Sequence, residues 1–264
     1  VAGSKREREI ARAKFERQQA RRAQEAAARR KRVQVVTAVV VVALVLVGAV
    51  VLAKTLGSGS STADAGASTT PSASSNALTA SCTYTASGTA SKPVSKPPAE
   101  ASKVPATRTA TITLNGSPVT VQLFAAKAPC TVNSFAHLAD AKYFDGTTCH
   151  RLTKSATLSV LQCGDPSATG SGGPGYSFAD ENLTGATYKK GTVAMANAGA
   201  NTNGSQFFLV YADSSLPPSY TPFGAITSGL DVVTKIAAAG VSGGGSDGAP
   251  AKPVKVTTVV VAKG

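Results

Sequence analysis

From Arg108 onward apolar and polar positions alternate. Ala110, Ile112 and Leu114 are separated by threonines, and after Asn115-Gly116-Ser117-Pro118 the same period returns at Val119, Val121 and Leu123. A period of two buries one face of each stretch, and Asn-Gly suits a short connection, so a β-hairpin is predicted. Between Ala128 and Ala141 the period changes. Val132, Phe135 and Leu138 recur three apart behind Pro129, which suits a first helical turn, and one amphipathic helix is predicted. Short apolar stretches follow at 149–152, 158–161, 192–196, 207–210, 222–226 and 254–261, separated by Gly, Pro, Ser and Asn. A second helix is predicted over Leu230 to Ala238, ended by Gly240. Many short strands with only two helices predict a mainly β fold over residues 107–264: a closed antiparallel barrel capped by the two helices.

Upstream of that domain the pattern is of another kind. From Val33 to Ala53 there are 21 residues without a charge, mostly Val, Ala and Leu. As a helix at ~1.5 Å per residue they reach ~31 Å, the thickness of a bilayer core, which predicts one transmembrane span. Lipid leaves the backbone no partner but the helix itself, so the environment overrides the poor helix propensity of Val. Residues 1–32 carry twelve basic side chains against four acidic ones. By the positive-inside rule they place the N-terminus in the cytoplasm of a plasma-membrane protein and everything from Thr55 outside. Both the basic run and the apolar run are longer than in a cleaved signal peptide, so an uncleaved anchor is expected. Most of the formal charge of +13 sits in this segment, so it does not describe the folded domain, and nucleic acid is not an expected partner. Residues 54–106, rich in Ser, Thr, Ala, Gly and Pro, bury too little apolar surface to offset chain entropy and are expected to form a tether. Cys82 beside Tyr84 is the exception in it, since a disulfide from there into the domain would pin part of the tether down.

Four cysteines, Cys82, Cys130, Cys149 and Cys163, in an exported segment suit two disulfides, with three connectivities open. With His137 and His150 the only histidines, no metal site is expected. Two short patterns carry no site. Gly170-Ser171-Gly172-Gly173-Pro174-Gly175 lacks the strand and helix context of a dinucleotide loop, and Gly240-Val241-Ser242-Gly243-Gly244 lies in a Gly-rich turn that could not hold a nucleophile rigidly.

Several blocks occur in order across the domain: Ala128 to Phe135, Cys149-His150-Arg151-Leu152, Gln162-Cys163-Gly164-Asp165, Gly170 to Gly173, Met195 to Phe208 and Phe223-Gly224. Together they resemble the cyclophilins, in an anchored bacterial, actinobacterial-like form. The resemblance covers the domain but neither the anchor nor the tether. It implies a monomeric peptidyl-prolyl cis/trans isomerase domain without cofactor, acting on Pro-containing segments of exported polypeptides. Arg151 would be the catalytic group, donating to the prolyl amide and favouring a pyramidal nitrogen. Phe208 would floor the proline pocket, with Val160, Leu216 and Tyr220 around it. Gln162 and Gln206 would orient Arg151 and the peptide, with His150 beside them. Ala196, Asn197 and Ala198 would hydrogen-bond an extended substrate backbone, and Gly170 would lie in a loop near the pocket for the preceding side chain. Cys149 and Cys163 flank strands that are antiparallel neighbours in the family, which implies one bridge there and leaves Cys82 with Cys130.

The chain also departs from that pattern. Ser159 stands where a second pocket phenylalanine is usual, Ser215 replaces an aromatic neighbour of Leu216, and Tyr220 stands where a histidine is common. The connection from Arg151 to Gln162 is three residues longer than usual. A shallower or differently shaped proline pocket is therefore expected. The alternative function is a catalytically weak module that binds Pro-containing peptides or acts as a chaperone.

Overall fold

The computed structural model describes residues 78–104 and 106–263. The basic segment 1–32, the span 33–53 and the first part of the expected tether lie outside the described residues. Among the described residues no helix is long and apolar enough to cross a membrane.

Residues 78–104, expected to be tether, carry strands β1 (Leu78–Ser81), β2 (Thr85–Ala86) and β3 (Glu100–Val104) and lie on the domain. β1 pairs with β3, and Cys82, Tyr84 and Ala101 are buried in the main core. Composition alone underrates this strap because few residues hold it. The Cys82–Cys130 disulfide ties it down, and the Tyr84 hydroxyl donates to the Cys130 carbonyl at 2.8 Å.

Strands β4 (Arg108–Leu114) and β5 (Ser117–Leu123) form the predicted hairpin, with Leu114 opposite Ser117 across the turn. Asn115 and Gly116 both have positive φ, 48° and 83°, the pair that a type I′ turn requires. The alternating apolar residues of both strands are fully buried. Helix α1 (Pro129–Asp140) and helix α2 (Leu230–Ala238) are the two predicted helices. α1 has no cap from its own N-cap residue. Glu181 supplies one, accepting from the Cys130 and Thr131 amides at 3.1 and 2.8 Å, so a carboxylate sits at the positive end of the helix.

The remaining strands are β6 (Thr147–Thr148), β7 (Arg151–Thr153), β8 (Val160–Cys163), β9 (Tyr176–Ser177), β10 (Thr192–Met195), β11 (Phe207–Val210), β12 (Pro222–Ser228), β13 (Asp247–Gly248) and β14 (Lys255–Val261). Ten of the strands form one antiparallel sheet in the order β13-β7-β8-β11-β10-β12-β5-β4-β14-β6. The expectation of a closed barrel is corrected here: β13 and β6 are two edges that no ladder joins, and the sheet is a curled half-barrel. The reason is local. β6 pairs with β14 while β7 pairs with β8 and β13, so only the chain at Cys149-His150 crosses the gap. The Cys149–Cys163 disulfide, with Cα atoms 4.0 Å apart, fastens that corner to β8. Both bridges follow the pairing implied by the resemblance. On the inner face Phe135 of α1 packs with Phe144, Phe207 and Phe223, its ring centroid 5.2–5.5 Å from theirs.

Candidate active site

The site follows from the period of two. In β11 all four residues are buried, but on two faces. Phe207 and Leu209 enter the main core, whereas Phe208 and Val210 enter a second apolar cluster on the outer face. β10 and β8 divide in the same way, sending Ala194 and Val160 outward. The ladder registers then align one row across four strands: Arg151 opposite Gln162, Gln162 opposite Phe208, Phe208 opposite Ala194. A cationic fork, an amide, an aromatic ring and a small residue thus share one line on one surface.

Side-chain hydrogen bonds connect this line to the loop beside it. Arg151 Nη1 donates to Gln162 Oε1 at 3.2 Å, and Gln162 Nε2 donates to Gln206 Oε1 at 2.8 Å. Gln206 Nε2 donates in turn to the Gly170 and Gly172 carbonyls at 3.1 and 2.9 Å. On its other edge the guanidinium grips Asp247 through Nε (2.8 Å) and Nη2 (2.7 Å). The bidentate pair holds the Arg151 fork fully protonated and draws the Asp247 carboxyl below its ordinary 3.8. Three of the five guanidinium N–H groups are engaged, and one on each terminal nitrogen has no partner among the described residues.

The apolar end of the row is a second cluster of hydrophobic side chains. Phe208 and Val160 lie with Leu216, Tyr220, Ala196 and Tyr188 in the second cluster. Tyr220 stands edge-on to Phe208 at 5.7 Å, and Tyr188 lies 6.2 Å from Phe208. Tyr188 is one residue that the sequence pattern did not disclose. Its hydroxyl donates to the Tyr220 carbonyl at 2.7 Å and accepts from the Tyr220 amide at 2.9 Å, clamping the 188 and 220 loops together. Ser159 is buried, its hydroxyl donating to the Ser155 carbonyl at 3.0 Å. The extra length between Arg151 and Gln162 is taken up by the turn at 155–158, where Ser155 and Leu158 bond each other. Ser215 follows the same turn, its amide donating to the Thr157 carbonyl at 2.9 Å.

Ala196, Asn197 and Ala198 run along the edge of this surface. The Ala196 amide is bonded to the Gln206 carbonyl and the Ala198 amide to Thr202 Oγ1, both at 2.9 Å. Among the described residues nothing bonds the main-chain N–H or C=O of Asn197, while its side chain is tied to the Ser219 carbonyl at 2.7 Å. One main-chain donor and one acceptor are therefore unpaired at Asn197 among the described residues.

His150 stands apart from this row. It precedes β7 by one residue, so alternation turns it away from the face that carries Arg151. Both ring nitrogens are buried with no hydrogen-bond partner among the described residues, and burial holds the imidazole below its ordinary 6.5, neutral at pH 7. It packs under the Gly170 loop, where a side chain at Gly170 would come within 3.4 Å of the ring, and offers a peptide no polar atom. Asp247, like Tyr188, left no trace in the sequence pattern, because Ser246-Asp247-Gly248 reads as one more turn.

A model of the family "Cyclophilin type peptidyl-prolyl cis-trans isomerase/CLD" matches residues 109–261. The chain is 49% identical over 201 residues to the "Probable peptidyl-prolyl cis-trans isomerase B" of Mycobacterium tuberculosis, covering 70% of this chain and 65% of that protein. A protein of the same description from Mycobacterium leprae is 49% identical over 199 residues, covering 69% of this chain and 67% of that one. The matched stretch thus spans about two thirds of the length of these relatives. Among solved structures, a Cryptosporidium parvum cyclophilin type peptidyl-prolyl cis-trans isomerase, crystallised in the presence of the dipeptide Ala-Pro, superposes with a TM-score of 0.51. It is 28% identical, with 59% of this chain and 99% of that one covered. With the family model covering more than half of the chain, the chain belongs to the cyclophilin type peptidyl-prolyl cis-trans isomerase family.

Proposed function

We propose that this protein catalyses the cis/trans isomerisation of X-Pro bonds, with Arg151 as the catalytic group. The observation that carries the reading is the row in which the Arg151 fork and the apolar pocket around Phe208 occupy one face of adjacent strands. An X-Pro bond turns slowly because amide resonance must be lost, a barrier of ~18–20 kcal/mol. A proline ring held against Phe208 fixes one side of the bond. A guanidinium N–H directed at the prolyl nitrogen or carbonyl then favours the twisted, localised amide over the planar one. No covalent intermediate is needed. Asn197 supports the peptide backbone, and the glutamine relay keeps Arg151 in the plane of the site.

The test is a refolding assay with the full chain in detergent micelles. At a few per cent of the substrate concentration it is expected to accelerate the proline-limited phase of an unfolded client protein, which otherwise takes tens of seconds. Binding of Pro peptides without acceleration at any ratio would replace catalysis by the binding-module reading. A second prediction concerns Asp247. Asp247→Asn keeps the shape but loses the charged fork, and a side chain about half exposed shares its work with water, so turnover is expected to fall only about three- to tenfold with peptide affinity unchanged. Since the pair holds the Asp247 carboxyl below 3.8, wild-type turnover is expected to stay flat down to that pH and to drop below it.

The location is part of the proposal. The 21-residue apolar run and the basic residues before it support an anchored protein whose isomerase domain works outside the plasma membrane on exported chains. Protease added to intact cells is expected to digest the domain and to leave residues 1–32 protected. Protection of the domain instead would overturn the orientation.

A further inference from the structure

A second concavity of about 600 Å³ adjoins the row on the side away from Phe208. It shares Gln162, Gln206 and Asn197 with the site, and its far wall is residues 87–89 of the strap. That wall is built in. β2 pairs with β9, putting Thr85 opposite Ser177 and Ala86 opposite Tyr176. The Ser87 amide donates to the Gly175 carbonyl at 3.0 Å, the Ser91 amide to the Gly173 carbonyl at 2.9 Å, and the Gly173 amide to Ser91 Oγ at 3.1 Å. Tyr84 stands edge-on to Tyr176 and Phe178 at 5.5 and 5.7 Å, and Asn133 Nδ2 donates to its hydroxyl at 3.0 Å. The strap and the Gly-rich loop are thus zipped together, with the Cys82–Cys130 bridge as the anchor at the start of the zipper.

The lining carries no Asp, Glu, Lys, Arg or His side chain. Its polar groups are neutral hydroxyls and amides, including those of Ser87, Thr89, Thr202 and Gln206, set among Gly, Ala and Pro. A neutral side chain with a donor or acceptor finds partners there, whereas a charged one is stripped of water without a counter-ion. In an extended peptide side chains two apart share a face, ~7 Å from one another. With the proline against Phe208 and the backbone on Asn197, the residue two positions before the proline reaches this concavity.

We propose that residues 87–89 are a specificity-determining wall, held by the Cys82–Cys130 disulfide, which selects neutral hydrogen-bonding side chains two residues before the proline. The proposal rests on the groove reading above for the seating of the proline, but not on turnover. Affinities of the full chain for the peptides X-Ala-Pro-Phe, with X as Gln, Asn, Glu or Lys, test it by NMR titration. Gln and Asn are expected to bind about tenfold more tightly than Glu and Lys. Thr89→Lys is expected to raise the affinity for the Glu peptide above that for the Lys peptide. Replacing both Cys82 and Cys130 by serine is expected to level the four affinities to within about twofold, since the wall is then no longer pinned. Equal affinities in the wild type, or a preference that neither change alters, would overturn the proposal. Selectivity in binding without any acceleration of isomerisation would overturn the catalytic reading and leave this one standing.

Discussion

Arg151→Ala is expected to lower kcat/KM for X-Pro isomerisation by about 10²–10³, the loss found when one preorganised donor to a transition-state charge is removed. The affinity for ground-state peptide should change little, because the proline ring is held by Phe208, Val160 and Leu216 and the backbone by Asn197, none of which depends on the guanidinium. Arg151→Lys is expected to be nearly as damaging. A single ammonium cannot give two parallel bonds to Asp247, a third to Gln162 and still present a free N–H in the same plane. Both variants should fold, since the Arg151 side chain is more than a third exposed and lies outside the apolar core. The measurement is a protease-free isomerisation assay by NMR exchange, with peptide affinity read from the same spectra. If affinity falls in parallel with turnover, Arg151 is a binding group and the transition-state role is lost.

The parts of this protein that repeat were legible in its sequence, and those that depend on one distant partner were not. The hairpin of β4 and β5 announced itself through alternation and Asn-Gly, and α2 was read with the limits it has in the structure. α1 falls within one residue of its prediction at each end. The site was legible through contiguous motif residues. Of the predicted site residues, Arg151 falls on β7, Val160 and Gln162 on β8 and Phe208 on β11, and the pleat and ladder registers bring these to one face, whereas the others lie on the loops between strands. The motif names His150 as the neighbour of Arg151, and only the folded strand shows that alternation turns the two to opposite faces. The strap was underrated because its hold comes from one disulfide, one tyrosine and main-chain bonds to a distant Gly-rich loop, none of which composition registers. The open edge of the sheet was invisible for a similar reason: closure depends on whether β6 pairs with β13, which lies far along the chain, and no local pattern encodes that. Asp247 and Tyr188 act through contacts with residues 96 and 32 positions away, so only the folded register discloses them.

Asp165→Ala is expected to cost about 2–4 kcal/mol of stability, although Asp165 touches no substrate. Its side chain is fully buried. It accepts from the Ser167, Gly170 and Gly172 amides at 2.8, 2.8 and 3.0 Å, and from Ser167 Oγ at 2.7 Å. One carboxylate therefore folds the whole Gly-rich loop around itself. Without it three amide donors lose their acceptor, each worth about 1 kcal/mol where water can still reach part of the loop. For a domain of this size the loss corresponds to a fall in Tm of about 4–16 °C. The damage should also reach the row, because the Gly170 and Gly172 carbonyls are what Gln206 holds, and through Gln206 and Gln162 the slack passes to Arg151. The pH dependence separates this account from a simple packing defect. Burial by itself would raise the Asp165 carboxyl, but the donors from Ser167, Gly172 and Gly170 outweigh it and hold the pKa below the ordinary 3.8. A folded pKa below the unfolded one means that the contribution is complete above 3.8 and is lost as the pH falls through the lower folded value. In urea unfolding followed from pH 7 downward, the gap between wild type and Asp165→Ala should be constant to about pH 4 and narrow steadily below it. A gap that stays the same at every pH would mean that the carboxylate's charge does not hold the loop, and the link from this loop to Arg151 would have to be carried by packing instead.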